Sequence, residues 1–194
     1  MAEAFQKGGW ETLTIDCDPG SQAEWERDVL TITAEEILQK FGRPDMIWAS
    51  PPCECFSVVT ISKNWIKGEY HPKRAETWLA MAKVQHAIWL IKKLKPRYWA
   101  IENPVGMLRK MPFMQPFNRK TLTYCQYGEK NRKPTDLWTN ISWDHKQPCN
   151  KGAFCHTRVK SGDHKSGIQG MSNAKERGKL PIPLCDEIVG ACSK

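Results

Sequence analysis

Apolar and polar residues alternate along the chain in two patterns, one typical of strands and one of helices. Five segments carry the short apolar runs or the strict alternation of strands: residues 10–15, 45–49, 97–101, 121–127 and 136–139. Four segments have the spacing or the end signals of helices: residues 1–9, 34–41, 75–94 and 180–189. The last two strands flank a basic turn, so we expect them to form a β-hairpin.

The order of these elements indicates the fold class. Strands that alternate with helices favour an α/β fold with a mostly parallel sheet and right-handed crossovers. Polar or reactive residues follow three of the predicted strands, namely Asp16, Cys53 and Glu102. Because functional groups gather where the strands of such sheets end, we expect these three residues at one edge of the sheet.

Composition divides the chain into three parts. Residues 1–143 contain the periodic elements, whereas residues 144–178 are rich in Gly, Lys, Ser, His and Asn and lack periodicity. Residues 179–194 return to an apolar helical pattern. The middle part holds much of the excess positive charge, so we expect it to form a small, irregular basic subdomain.

Charge and cysteine content narrow the function classes. The net charge of +8 and the pI near 9.1 are compatible with a polyanion partner, although many basic proteins bind no nucleic acid. The eight cysteines are scattered through a chain without a secretion signal, which favours reduced thiols over disulfides. No apolar run is long enough to cross a bilayer. We therefore expect a soluble, cytoplasmic protein that does not interact with membranes.

Cys53 is the strongest candidate nucleophile. It follows a predicted strand and two prolines, which fix the backbone and direct the next side chain away from the sheet. If a helix begins shortly after Cys53, its N-terminal amides would lower the pKa of the thiol. A structural cysteine is the alternative at this position. Cys55, two residues further on, is expected only to pack.

Glu102 also follows a buried strand directly. Partial desolvation would raise the pKa of its carboxyl group, which suits a residue that donates a proton or a hydrogen bond. A helix cap or a salt bridge explains a lone Glu equally well. The combination favours catalysis, because Cys53 and Glu102 are both predicted at proline-containing turns on the same edge of one sheet.

Several motifs resemble those of DNA cytosine C5-methyltransferases. The segment 50–57, Ser-Pro-Pro-Cys-Glu-Cys-Phe-Ser, resembles the family's Pro-Cys motif, and the segment 101–106, Ile-Glu-Asn-Pro-Val-Gly, resembles its Glu-Asn-Val motif. Residues 14–19, 27–29 and 179–189 resemble supporting motifs. The likeness is greatest to short phage-type members that act in DNA modification or restriction-modification. It implies a Rossmann-like class I methyltransferase sheet for residues 1–143 and a DNA-recognition role for residues 144–178.

The resemblance also implies a chemistry. Cys53 would attack C6 of a cytosine flipped out of double-stranded DNA, while Glu102 would contact N3 and the exocyclic amine. C5 would then receive a methyl group from S-adenosylmethionine. Asn103 would hold the catalytic loop. The cofactor would be bound by residues in matching positions: Asp16, Asp28, Pro51 and Leu79.

The chain departs from the family at the cofactor site. The first strand of the family and its Phe-x-Gly-x-Gly loop would lie immediately before Met1. A sheet without this strand would expose two unpaired edges. We therefore expect an incomplete S-adenosylmethionine pocket, and a homodimer or a partner chain that completes the sheet.

A second departure concerns the basic residues. The family's Gln-x-Arg-x-Arg motif corresponds to residues 131–135, Asn-Arg-Lys-Pro-Thr, where the spacing of the charges differs. Arg132 is assigned to the catalytic group by analogy. The candidates for contact with the DNA backbone are Arg74, Lys133, Arg158, Lys160 and Lys165.

The segment 149–156, Cys-Asn-Lys-Gly-Ala-Phe-Cys-His, contains residues that bind zinc in other proteins. Its spacing fits no standard zinc motif, and free cysteines in a short loop are common. Zinc bound here with the help of His145 or a distant Cys is an open alternative, but the sequence favours no metal site.

Three functions remain open at this point. The first is an active methyltransferase, and the second is a catalytically impaired relative that binds DNA without transferring a methyl group. The third is an enzyme that modifies a free cytosine nucleotide or uses a different one-carbon donor. The basic residues 144–178 favour polymeric DNA as the substrate over a free nucleotide. The resemblance to phage-type enzymes implies a bacterial or phage-infected cell.

Overall fold

The computed structural model describes residues 1–157 and 174–193. The helices that it contains are α1 (Ala2–Lys7), α2 (Ala34–Phe41), α3 (Ile61–Asn64), α4 (Ala75–Leu94), α5 (Ala174–Gly178) and α6 (Ile182–Cys192). The strands are β1 (Ile15–Asp16), β2 (Trp25–Glu26), β3 (Met46–Ala49), β4 (Tyr98–Pro104), β5 (Arg119–Thr123) and β6 (Pro134–Thr139). Among these described helices, none is both long enough and apolar enough to cross a membrane.

The main sheet has four strands in the order β3-β4-β6-β5. β3 and β4 are parallel, whereas β6 is antiparallel to both β4 and β5. The sheet is therefore mixed rather than mostly parallel. The reason is the short connection between β5 and β6, which has no room for the crossover helix that a parallel pair requires.

A second, two-stranded sheet contains only β1 and β2, which are parallel. The sequence predicts a strand over residues 10–15, but only Ile15 and Asp16 pair with another strand. The predicted strand 121–127 also differs from the structure. It ends at Thr123, and a 3-10 turn over Tyr124–Tyr127 follows. Gly128 closes this turn with φ of +90°, a conformation that favours glycine.

Local sequence explains how the two main helices begin and end. Thr33 and Glu36 form a reciprocal capping box at the start of α2. α4 ends where Lys95 adopts a left-handed conformation, directly before Pro96. These signals delimit the two helices that were predicted from apolar spacing.

The core lies on both faces of the four-stranded sheet. Ile101 and Trp138 pack on one face with buried residues of α4, including Val84. Leu122 and Leu137 pack on the opposite face, in a cluster that contains four residues of α1 and α6: Phe5, Leu184, Ile188 and Cys192. Successive residues of a strand point to opposite faces, so β4 and β6 contribute to both clusters. This packing supports the sheet edge at which β3 and β4 end.

Candidate active site at the ends of β3 and β4

The register of β3 and β4 brings the Cys53 loop next to Glu102. Ala49 lies opposite Ile101 in this parallel pair. The segment 50–53 leaves the end of β3, and Glu102 is the next residue of β4. The thiol and the carboxylate therefore belong to adjacent chain segments at one edge of the sheet.

Asn103 connects the two segments directly. Its side chain is fully buried, and Nδ2 donates a hydrogen bond to the carbonyl oxygen of Pro51 at 3.1 Å. The Oδ1 atom of Asn103 has no hydrogen-bond partner among the described residues. The residue thus holds the loop that carries Cys53 and retains an unused acceptor.

Gly106 provides a second connection. A Cβ atom at this position would lie 2.1 Å from the carbonyl oxygen of Phe56. The adjacent Met107 N donates to the same oxygen at 2.7 Å. The segment that follows Glu102 can approach the Cys53 loop this closely only because residue 106 lacks a side chain.

Three side chains hold the chain that follows Cys53. Trp65 Nε1 donates to the carbonyl oxygen of Cys55 at 2.6 Å, and Asn64 Nδ2 donates to the carbonyl oxygen of Glu54 at 3.3 Å. The Thr60 hydroxyl also donates to the Glu54 carbonyl oxygen. These bonds satisfy backbone carbonyl groups in a segment that lies outside the strands β1–β6.

Glu102 is buried, with 5% of its surface exposed. The Tyr124 hydroxyl donates to its Oε1 at 2.9 Å, and Lys133 Nζ lies 3.9 Å from the same oxygen. Burial raises the pKa of the Glu102 carboxyl group, while Lys133 and the hydrogen bonds from Tyr124 and Ser50 oppose this shift. The direction of the pKa shift is the one expected for a proton donor.

Lys133 lies inside the protein, where only 9% of its surface is exposed. Besides its ion pair with Glu102, Nζ donates to the carbonyl oxygen of Arg177 at 2.9 Å and lies 4.6 Å from the centre of the Tyr124 ring. The sequence predicted a contact between Lys133 and the DNA backbone. Its burial beside Glu102 favours a role in the catalytic pocket instead.

Cys53 is half-buried at the surface of this pocket. Burial raises the pKa of its thiol, the positive charge of Lys133 lowers it, and the negative charges of Glu102 and Glu54 raise it further. The pKa of Cys53 is therefore raised, and the condition under which the sequence predicted a lowered value is not met. The reason is local geometry, since α3 begins only at Ile61 and the amides of Phe56 and Ser57 donate to the Cys53 carbonyl oxygen rather than to its sulfur.

A cavity of about 1430 Å³ separates β1 from β3. Residues 8–17 line one side and residues 43–52 the other, and the α4 residues Lys83, Ala87, Leu90 and Leu94 form part of the wall. Small-molecule sites usually measure about 300–1,000 Å³, so this cavity exceeds the size needed for a cofactor alone. No strand pairs with the outer edge of β3 in the described ranges 1–157 and 174–193.

The four predicted cofactor residues have different positions relative to this cavity. Asp16 and Pro51 line it, and Asp16 also accepts a hydrogen bond from Asp18 N at 2.9 Å. The Asp28 carboxylate caps a turn through Leu30 N and forms a 3.0 Å ion pair with Lys83. Leu79 is 51% exposed on α4 and does not line the cavity. The structure thus brings two of the four residues to one pocket.

Arg132 and Arg74 are paired with groups other than Glu102. Arg132 donates from Nε and Nη2 to the carbonyl oxygen of Cys149, at 3.3 and 3.0 Å, and so does not approach Glu102 as Lys133 does. Arg74 forms an exposed ion pair with Glu76 at 3.1 Å. Three further candidates fall outside the described residues: Arg158, Lys160 and Lys165.

Tyr124 and Gly106 have functions in the site that sequence reasoning did not assign. Gly106 is part of the segment 101–106, and a glycine directly after Pro104 and Val105 is the sequence signal for a close backbone approach at this position. Tyr124 lies beyond β5 in sequence, and no local pattern indicates that its hydroxyl reaches Glu102.

The comparisons with known proteins agree with these motifs. The chain is 30% identical over 141 residues to a probable DNA (cytosine-5)-methyltransferase of Frog virus 3 (isolate Goorha), a match that covers 70% of the chain and 63% of the relative. The chain thus spans less than two thirds of that relative's length. No protein-family profile matches the chain.

Two solved structures are similar. One is described as a DNA modification methyltransferase encoded within an E. coli prophage, with a TM-score of 0.50 and 15% identity, covering 70% of this chain and 41% of that one. The other is the S. pombe Dnmt2 methyltransferase, with a TM-score of 0.42 and 17% identity, covering 84% of this chain and 54% of that one. The similarity to the prophage-encoded protein supports the α/β fold described above.

The fold and the arrangement of its strand ends place the chain among the α/β proteins with a Rossmann-like methyltransferase fold. Within this class, its sequence is related to the DNA cytosine-5 methyltransferases, as the segments around Cys53 and Glu102 predicted.

Proposed function

We propose that the protein is a DNA cytosine C5-methyltransferase in which Cys53 is the nucleophile and Glu102 is the acid partner. One observation carries this proposal: the half-buried thiol loop and a buried carboxyl group with a raised pKa occur at the same sheet edge, joined by Asn103. The 30% identical viral relative, a probable DNA (cytosine-5)-methyltransferase, supports the same chemistry.

Cys53 attacks C6 of the cytosine ring as a thiolate. The charge of Lys133 favours this ionised form, since it lowers the pKa of the Cys53 thiol against the effect of burial. Protonated Glu102 donates a hydrogen bond to N3, which allows negative charge to develop at C5. The hydrogen bond from the Tyr124 hydroxyl to Oε1 fixes the orientation of the Glu102 carboxyl group.

A buried acid group requires an extruded base. Glu102 is 5% exposed and lies behind the Cys53 loop, so a cytosine within a stacked duplex could not reach it. We therefore propose that the protein flips its target base out of double-stranded DNA. The net charge of +8 supports DNA as the partner, and such a role belongs in the cytoplasm of a bacterial or phage-infected cell.

S-adenosylmethionine, when bound, would supply the methyl group as an electrophile. The cavity between β1 and β3 is more than large enough to hold this cofactor, and its lining offers the Asp16 carboxylate as an acceptor for ribose hydroxyls. Pro51 lies between this cavity and Asn103, which anchors its carbonyl group. The lining thus connects the cofactor site to the loop that carries Cys53.

A covalent trapping experiment tests the proposed chemistry. A duplex that contains 5-fluorocytosine should form a stable protein–DNA adduct in the presence of S-adenosylmethionine. After methyl transfer, the C5 proton must be removed before the Cys53–C6 bond can break, and fluorine replaces this proton. Cys53→Ser should abolish the adduct, whereas Cys55→Ala should retain it. Absence of an adduct at high protein concentration would contradict the proposal.

The open cavity favours one alternative, a DNA-binding protein that no longer binds the cofactor normally. Titration calorimetry separates the two functions. Micromolar binding of S-adenosylmethionine supports the enzyme, whereas salt-sensitive DNA binding without cofactor binding supports the alternative.

We further propose that a second copy of the chain covers the open edge of β3. Free strand edges are templates for pairing, and the cavity exceeds the size of a small-molecule site. Light scattering should then give the mass of a dimer, and the amides of Met46–Ala49 should exchange more slowly as the protein concentration rises. A monomeric mass at all concentrations would rule out this assembly.

A further inference from the structure

Three cysteines and one histidine from distant positions converge on one point outside the proposed active site. Cys125 lies in the turn after β5, and the other three follow β6: Cys149, Cys155 and His156. One ligand atom from each of the four residues lies within 4.8 Å of all the others. We propose that this cluster binds a structural Zn²⁺ ion.

The distances between the ligand atoms support tetrahedral coordination. With Zn–S bonds of about 2.3 Å and Zn–N bonds of about 2.0–2.1 Å, a tetrahedron places two sulfurs about 3.8 Å apart and a sulfur about 3.5 Å from a nitrogen. Cys125 Sγ and Cys155 Sγ are 3.8 Å apart. His156 Nδ1 lies 3.6 Å from Cys149 Sγ and 3.4 Å from Cys155 Sγ.

The shortest sulfur–sulfur distance belongs to Cys125 and Cys149, at 3.2 Å. A disulfide bond would require about 2.05 Å, so these sulfurs are not bonded. Three thiols and one imidazole at such separations leave a space that suits a metal ion. A Cys₃His set is typical of zinc because thiolate and imidazole ligands in a tetrahedron favour this ion over Mg²⁺ or Ca²⁺.

Surrounding groups support thiolate ligands. Gln126 Nε2 donates to Cys155 Sγ at 3.3 Å, and Cys149 N donates to Thr123 Oγ1 at 3.0 Å, which orients the Cys149 side chain. A bound zinc ion would hold the cysteine ligands as thiolates, and the donor to Cys155 Sγ would stabilise the negative charge on that sulfur.

The ion would be structural rather than catalytic. Four protein ligands fill a tetrahedral shell and leave no open position for water or substrate. The cluster joins residues 149–156 to the turn that contains Tyr124, the hydrogen-bond donor of Glu102. Arg132 donates to the Cys149 carbonyl oxygen and precedes Lys133 in sequence. The zinc ion would thus fix one wall of the pocket that contains Glu102.

The sequence raised these residues as possible zinc ligands, but their spacing argued against a site for a physical reason. Cys149, Cys155 and His156 lack the Cys-x-x-Cys spacing that lets one turn supply two ligands. The fourth ligand, Cys125, precedes β6 in sequence, whereas the other three follow it. Only the hairpin of β5 and β6 brings this cysteine to the other three.

Metal analysis of the purified protein tests the proposal without reference to any enzymatic activity. We expect about one zinc ion per chain, measured by mass spectrometry of the metal. Replacement by Co²⁺ should produce the intense visible bands of a tetrahedral site together with thiolate charge-transfer absorption. Less than a tenth of an equivalent of zinc or Co²⁺, after purification and refolding with the metal present, would overturn the proposal.

Matched variants locate the ion. Cys155→Ser should lose most of the bound zinc, whereas Cys17→Ser should keep it, because Cys17 is also an exposed free cysteine but lies outside the cluster. Equal zinc content in both variants would contradict the assignment. Mass spectrometry after alkylation without reductant provides a further check, because a Cys125–Cys149 disulfide in the freshly purified protein would also exclude the site.

Discussion

Lys133 Nζ lies 3.9 Å from Glu102 Oε1, and both side chains are buried. Glu102 lies in β4, and Lys133 directly precedes β6, the strand that pairs antiparallel with β4. Their pairing partly compensates the cost of placing a carboxylate inside the protein. It also places a positive charge where it favours the Cys53 thiolate.

Lys133→Met should move the pH dependence of the reaction. Without the lysine charge, the pKa of Cys53 rises further, so the ascending limb of kcat/KM against pH should shift to higher pH. Lys130→Met is the control, because Lys130 is an exposed residue of the same basic turn. An unshifted profile for Lys133→Met would show that its charge does not act on the nucleophile.

Glu102→Gln should change how stability depends on pH. The pKa of Glu102 is raised in the folded protein, so the carboxyl group binds its proton more tightly in the folded state than in the unfolded chain. Its favourable contribution is complete below the unfolded pKa and is lost as the pH rises through the folded pKa.

The free energy of unfolding of Glu102→Gln, relative to wild type, should therefore increase with pH above about 4.5, by about 1.4 kcal/mol for each unit of pKa shift. Urea unfolding at pH 5 and pH 8 measures this difference. A difference between the two proteins that stays constant with pH would contradict the raised pKa.

Asn103→Ala should weaken both the fold and the reaction. The change removes the hydrogen bond to Pro51, whose carbonyl group then loses its buried partner at a cost of about 1–3 kcal/mol. Asn140→Ala is a matched control, since Asn140 Nδ2 donates to the Arg97 carbonyl oxygen away from the site. Both variants should lose stability in urea unfolding, but only Asn103→Ala should reduce kcat by tenfold or more, on the order of 1.4 kcal/mol.

Gly106→Ala should separate the two loops of the site. The added Cβ would meet the Phe56 carbonyl oxygen at 2.1 Å, so the backbone must move. We expect a loss of about 2 kcal/mol or more in the free energy of unfolding, and a loss of adduct formation. Gly190→Ala provides the contrast, because a Cβ at Gly190 meets no atom within 4 Å and alanine favours the helix α6. If Gly106→Ala left the free energy of unfolding and adduct formation unchanged, close contact between the two loops would not be required.

Local sequence determined the elements that frame the site. The apolar spacing of α4, the capping box at Thr33 and Glu36, and the short runs of β3 and β4 act within a few residues, so they can be recognised without a structure. The two motifs around Cys53 and Glu102 likewise predicted the similarity to DNA cytosine-5 methyltransferases that the viral relative shows, and they supplied the candidates for the nucleophile and the acid group.

Tertiary structure alone decided what surrounds these residues. The pairing of Lys133 with Glu102, the reach of Tyr124 and the convergence of Cys125 with His156 depend on the antiparallel β5–β6 hairpin, which joins positions distant in sequence. Desolvation likewise depends on three-dimensional packing, which is why the raised pKa of the Cys53 thiol could not be read from its local sequence. Sequence determined which groups are present, whereas burial and strand register determined their charge and their partners.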